Sequence, residues 1–171
     1  MPRREYTPRN DSLIAFRNFV GNMTKIILEN KKAYYDYEIL EKLEAGIILR
    51  GYEVKSIRNG NIKLKGAFVT FYKNEPYLTG AHIGKYKPAG GLKDYDPERS
   101  RKLLLKKKQV RHILGKSQEK GLTIVPLSVY TKESKIKIEI GVGRGKKRYE
   151  KKEVKKRRDI ERDIKRTLKK L

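Results

Sequence analysis

The segment Lys135-Ile136-Lys137-Ile138-Glu139-Ile140 constrains the fold most tightly. Three isoleucines alternate strictly with charged residues, so only an extended strand puts all three on one face. A helix would scatter them around its axis. Lys135 to Val142 is therefore read as a strand, and so is Leu122 to Tyr130, a run rich in Val, Leu, Ile and Thr. A third period-2 face runs through Tyr37, Ile39, Leu43, Ala45, Ile47 and Leu49, interrupted by Glu41. Ile39, Leu43 and Ile47 also fit helical spacing. The preceding tyrosines, Gly46 inside the run and Gly51 closing it favour one long strand over residues 34–49.

The remaining elements are shorter. Glu53 to Arg58 reads as a helix with Val54 and Ile57 inward, joined by Leu64, and with Lys55 and Arg58 on the wet side. Asn59-Gly60-Asn61 stops it. Residues 62–83 read as a hairpin, Ala67 to Tyr72 against Tyr77 to Thr79, with Lys73-Asn74-Glu75-Pro76 as the turn. Residues 85–94 hold Pro88, Gly90 and Gly91 and read as a loop. Asp96-Pro97 announces a second helix, from Pro97 or Ser100 to Leu114 and ending at Gly115. About six antiparallel strands with two short helices suit a small closed barrel of the oligonucleotide-binding type better than a sandwich.

Charge decides what such a barrel meets. The chain has 171 residues and a formal charge of +24, which favours a polyanionic partner, nucleic acid first. There is no cysteine, so disulfides and thiolate chemistry are excluded, in keeping with a cytoplasmic protein. His82 and His112 belong to different elements and form no metal set, so neither a metal nor a cofactor is expected. No nucleophile elbow or Walker pattern occurs, and the chain is read as non-enzymatic. No apolar run is long enough to span a membrane.

Lys31, Lys32, Lys55, Arg58, Arg99, Arg101 and Lys102 can supply phosphate contacts. Tyr34, Tyr35 and Tyr37 beside Lys31 and Lys32 make the basic and aromatic mixture suited to unstacked bases, although Tyr37 is better explained by strand packing. Leu103, Leu104 and Leu105 cannot all face inward on one helix, which leaves one to meet an RNA surface. Glu44 can accept from a guanine or cytosine amino group. The competing reading, a salt bridge to Lys42 or another cation, is the one that sequence favours.

The ends are set apart from the barrel. Residues 1–25 read as a flexible basic extension, residues 26–141 as the barrel domain and residues 142–171 as a basic tail. From Arg144 to Leu171 there are 15 Lys or Arg and 5 Asp or Glu. Ile160, Ile164, Leu168 and Leu171 still recur at helical spacing, so the tail is marginal as a free helix and can fold against RNA phosphates. Gly141, Gly143 and Gly145 are read as a hinge before it.

Several blocks occur in a telling order. They are Asn30-Lys31-Lys32-Ala33, Gly51-Tyr52-Glu53-Val54-Lys55-Ser56-Ile57-Arg58, Arg101-Lys102-Leu103-Leu104-Leu105, Gly121 to Leu127, and Arg144-Gly145-Lys146-Lys147-Arg148-Tyr149. Together they resemble the small protein B family, the bacterial partner of transfer-messenger RNA in ribosome rescue, over about residues 26–171. The resemblance implies an oligonucleotide-binding-type barrel that grips the tRNA-like end of that RNA. It implies a tail that enters the vacant mRNA channel of a stalled ribosome, against small-subunit rRNA, and folds there as a helix. Elongation factor Tu is implied as an indirect partner through the charged RNA.

By position, Glu44 and Leu104 match family residues that contact RNA. Lys106 stands where some members carry an RNA-contacting Asn, and Tyr35 where many carry His. Gly145, Tyr149, Glu150, Lys151 and Lys152 match the segment placed at the decoding centre, accompanied by Lys146, Lys147, Arg157 and Arg158. The family's usual Asp-Lys-Arg is Glu150-Lys151-Lys152 in this chain, and lysine cannot reproduce an arginine fork. A ribosomal or rRNA-binding structural protein is the alternative that charge and tail fit equally well.

Overall fold

The structure is a computed structural model that describes residues 24–86, 95–147, 149–156 and 159–160. In chain order the elements are β1 (Lys25–Glu29), α1 (Lys31–Asp36), β2 (Tyr37–Ile47), α2 (Gly51–Arg58), β3 (Ile62–Lys63), β4 (Phe68–Tyr72), β5 (Glu75–Thr79), β6 (His82–Ile83), β7 (Arg101–Leu104), α3 (Lys107–Gln118), β8 (Leu122–Lys132) and β9 (Lys135–Gly145). Among the described residues, 149–156 form a further helix, α4.

Seven strands form one antiparallel sheet in the order β1-β8-β9-β2-β7-β5-β4, and β3 pairs with β6. The sheet curls around a core that includes Leu78, Leu103, Ile113, Ile124, Ile138 and Ile140, all essentially buried. Each such side chain contributes about 1.5–3 kcal/mol of burial. The expected oligonucleotide-binding-type fold is present, but the barrel is not closed. Among the described residues no ladder joins β4 to β1.

The two hairpins close with two-residue turns. Lys73 and Asn74 have φ of 47° and 61°, Glu133 and Ser134 of 49° and 64°. Paired left-handed residues of this kind match the twist of the flanking strands. The first turn is thus shorter than the four residues expected, and Pro76 lies inside β5. The ladder from β5 to β7 involves Tyr77 and Leu78, so the missing N–H of Pro76 breaks no bond in it.

Three further expectations are corrected. First, residues 101–104 are a strand, not the start of a helix; α3 starts at Lys107 and runs through Gly115 to Gln118. In β7, Arg101 and Leu103 point inward and Lys102 and Leu104 outward. Second, the long strand is not one face. A bulge between Ile39 and Glu41 turns β2 over. Tyr37 and Ile39 pack under α1 on the outer side of the sheet, whereas Leu43, Ala45 and Ile47 face the main core. The exposed Leu40 is the bulged residue between them.

Third, Gly141, Gly143 and Gly145 are not a hinge. All three are paired with β2 in β9, and Val142 between the first two is in the core. A Cβ on Gly141 would lie 2.8 Å from Leu127 and 3.0 Å from Ile39, and one on Gly143 would lie 3.0 Å from Tyr37. These two glycines let the side chains beneath α1 lie across the strand. The tail therefore leaves the sheet after Gly145 rather than at residue 142. The N-terminal extension up to residue 23, the 87–94 part of the loop and the Ile164–Leu171 stripe lie outside the described residues.

Candidate nucleic-acid interface

Inward Ile138 and Ile140 oblige Lys137 and Glu139 to face outward on β9. Register then assembles an outer face. Glu139 lies opposite Glu44 on β2 and Ser128 on β8, and Ser128 in turn opposite Glu29 on β1. Lys137 lies between Gly46 and Tyr130, and Gly46 is opposite Leu104 on β7. Glu44 and Leu104, the two RNA-contact candidates, are thus brought to the same outer face within about 7–8 Å, a diagonal register step. Leu104 is half-exposed, and a Cβ on Gly46 would lie 3.2 Å from it. Glycine at 46 leaves that leucine room on the sheet.

Glu44 is held from one side. The buried Tyr130 hydroxyl donates to Glu44 Oε2 at 2.6 Å, and Lys132 Nζ donates to the same oxygen at 3.4 Å. Partial burial pushes the Glu44 carboxyl up. The Tyr130 bond and the charges of Lys132 and Lys137 together outweigh that and hold it below the usual carboxylate range. Burial, then the bond to Glu44, push the Tyr130 phenol far above its ordinary value. The expected ion pair therefore forms with Lys132 and not with Lys42, which donates to the Tyr34 hydroxyl at 3.1 Å and lies 4.0 Å from Glu139. Burial pushes the Glu139 carboxyl up.

α1 exists because Asn30 caps it. The Asn30 side chain accepts from Ala33 N–H at 3.2 Å, and its amide donates to the carbonyls of Pro126 at 2.9 Å and Leu64 at 3.2 Å. Lys31 and Lys32 are thereby presented outward on the helix. Lys32 pairs with Asp36 at 2.9 Å and lies 5.6 Å over the ring of Tyr35, which is on this helix and not in a strand. On α2, Lys55 and Arg58 are exposed. Lys55 sits 5.6 Å over the Tyr86 ring, and Arg58 donates to the Ser134 carbonyl at 2.9 Å. Lys106 is exposed and caps α3, with its backbone N–H donating to Gln109 at 3.0 Å.

One expected phosphate contact, Arg101, is corrected, and two more, Arg99 and Lys102, are found bonded to carboxylates. Arg101 is fully buried, and its guanidinium bonds Glu53 Oε1 at 2.9 Å and the carbonyls of Ala81, Arg99 and Pro97. Arg99 is turned onto the same carboxylate through Nε and Nη2. Lys102 is bonded to Glu75 across the sheet. The Arg101 side chain cannot reach a phosphate without unfolding the site, because a buried cation is held by its partner.

The tail is rooted in α1. Lys146 N–H donates to the Asp36 carbonyl at 2.9 Å, its Nζ to the Tyr34 carbonyl at 2.9 Å, and Lys151 Nζ bonds the Asp36 carboxylate at 3.1 Å. Burial pushes Asp36 up, but Lys32 and Lys151 together hold it below the usual range. The Glu150 carboxylate accepts from Lys147 N–H at 2.6 Å, capping α4. Gly145 ends β9, and Tyr149 and Lys152 are exposed. Arg157 and Arg158 lie outside the described residues.

Sequence reasoning missed Tyr130, Lys132, Lys137 and Glu139 on the outer face, and Glu53 in the core. The alternation of β9 already pointed Lys137 and Glu139 outward. Their neighbours required the register.

A family model described as SmpB protein matches residues 27–170. The SsrA-binding protein of Sulfurihydrogenibium sp. (strain YO3AOP1) is 53% identical over 129 residues, 75% of this chain and 84% of the relative. That of Persephonella marina (strain DSM 14350 / EX-H1) is 50% identical over the same shares. A solved structure described as "tmRNA-SmpB: a journey to the center of the bacterial ribosome" has a TM-score of 0.60 and 47% identity, covering 74% of this chain and 92% of that one. With 144 of 171 residues inside the family match, this chain belongs to the SmpB protein family.

Proposed function

We propose that this chain binds the tRNA-like domain of transfer-messenger RNA and delivers it to stalled ribosomes, where rescue and peptide tagging follow. The observation that carries the reading is the outer face that joins Glu44 to Leu104 among lysines, in a chain of the SmpB family. Lys31, Lys32, Tyr35, Lys55, Arg58 and Lys106 supply backbone and stacking contacts, which position the RNA without reading it. Glu44, repelled by phosphate, meets a base amino group instead. Residues 146–171 form the tail that occupies the vacant mRNA channel near the decoding centre. Lys147, Tyr149, Glu150, Lys151, Lys152, Arg157 and Arg158 meet small-subunit rRNA there. Elongation factor Tu is met only through the charged RNA. The work is binding, not catalysis; it requires no cofactor and takes place in the cytoplasm.

Binding to the isolated tRNA-like domain at 0.2 M salt, with excess ordinary tRNA as competitor, tests the reading, since such salt suppresses most non-specific phosphate binding. Tight binding that survives competition is expected. Binding erased by tRNA would favour a ribosomal structural protein. Deleting residues 146–171 is expected to leave RNA binding within about threefold and to abolish rescue of a stalled translation reaction. Equal loss of both would refute the division of labour. The cut belongs after Gly145, because residues 142–145 are paired into the sheet.

A further inference from the structure

The two protein bonds to the Glu44 carboxylate fall on one oxygen. Tyr130 and Lys132 both donate to Oε2, and among the described residues no hydrogen bond reaches Oε1. Glu44 is itself exposed, with 39% of its side chain accessible, whereas Tyr130 is fully buried. A buried phenol therefore holds one oxygen of a carboxylate that is itself at the surface, and no described hydrogen bond occupies the other. Like-charge crowding opposes this arrangement, because Glu139 lies directly across the ladder from Glu44. Lys42, which could have drawn Glu44 over, is engaged by Tyr34 and Glu139.

We propose that Tyr130 is a positioning residue for RNA discrimination: its hydroxyl aims the Glu44 carboxylate so that Oε1 accepts from a base amino group. This rests on the reading of Glu44 as an RNA contact. The hydroxyl never meets the RNA. It limits the rotamers of Glu44, so that less freedom is lost when the base is bound. It also keeps the carboxylate ionised, as an acceptor that phosphate cannot satisfy and an amino group can. Lys132 shares the oxygen that the phenol holds.

The test is a double-substitution cycle on the full chain, read as affinity for the tRNA-like domain in the presence of competing tRNA. Tyr130→Phe, which removes only the hydroxyl, is expected to weaken specific binding about tenfold. In a Glu44→Ala background the same change is expected to cost less than twofold. The carbon-detected NMR titration of Glu44 is expected to move up toward the ordinary carboxylate value in Tyr130→Phe, which loss of packing alone would not produce. Glu44→Asp keeps the charge and withdraws it from the phenol. It is expected to weaken binding as much as Tyr130→Phe, and as a surface change it tests positioning even if position 130 tolerates no substitution.

A Tyr130→Phe penalty that persists without Glu44, or Glu44→Asp binding as wild type, would overturn the proposal. Glu44→Ala binding as wild type would remove its premise, the contact at Glu44. Binding that tRNA erases in the unsubstituted chain would instead defeat the function proposed above.

Discussion

Glu53 and Glu44 are the same residue type on adjoining elements, and the fold uses their carboxylates in opposite ways. Glu53 is completely buried, and both of its oxygens are occupied. Oε1 accepts from Arg99 and Arg101, and Oε2 from Arg99 and from the Arg50 backbone N–H. Burial pushes its carboxyl up, and the two arginines with the backbone bond outweigh that and hold it below the usual range. Glu44 sits at the surface with one oxygen held and no described hydrogen bond on the other. A saturated carboxylate ties α2 to β7 and has nothing left to offer a ligand. A half-saturated one is weak as a structural element and available as an acceptor.

The contrast breaks most clearly at Glu53. Glu53→Ala leaves Arg101 buried without its counter-charge and is expected to cost about 3–5 kcal/mol in urea unfolding. A loss under about 1 kcal/mol would mean that the network is incidental. The same site sharpens the comparison through acid. The folded-state pKa of Glu53 is depressed, so its contribution is fully present above the unfolded value, near 4.5, and is lost as pH falls through the folded value. Stability measured from pH 5 downward is therefore expected to decline less steeply in Glu53→Gln than in the unsubstituted chain.

Glu44→Ala should behave in the opposite way. Stability is expected to change by no more than about 0.5 kcal/mol, while affinity for the tRNA-like domain falls about tenfold although the protein becomes more positive. A gain in affinity would make Glu44 a mere surface charge. The smallest effect is expected at Lys31. Lys31→Met should weaken binding a few-fold and reduce the slope of log affinity against log salt by about 1, as one lost phosphate contact does. An unchanged slope would remove Lys31 from the interface.

The Arg101-Lys102-Leu103-Leu104-Leu105 block shows how far such readings carry. Three leucines and a preceding Asp-Pro predict a helix with one leucine outside; the structure has a strand, and Leu104 is the exposed leucine. What the local pattern lacks is the burial of Arg101, a residue that reads as a surface cation. Once Glu53 neutralises it, Arg101 and Leu103 share an inward face, and the block becomes a strand. No local pattern reports a partner 48 residues away. The glycines of β9 carried the same ambiguity. Chain flexibility and close approach call for the same residue, and only the positions of Tyr37, Ile39 and Leu127 distinguish the two.

Sequence alone determined the strands β8 and β9, the short helix α2, the non-specific attraction to polyanions and, through its ordered blocks, the family. These depend on period-2 alternation, local stop signals and net charge, all of which act over a few residues or over the whole chain. Tertiary structure decided which charges are spent inside and which face outward. It buried Arg101, turned β2 over at Leu40, rooted the tail on Asp36 and set Tyr130 behind Glu44. Those outcomes depend on which strands lie side by side and in what register, and a carboxylate acquires its role from the donors that this register brings to it.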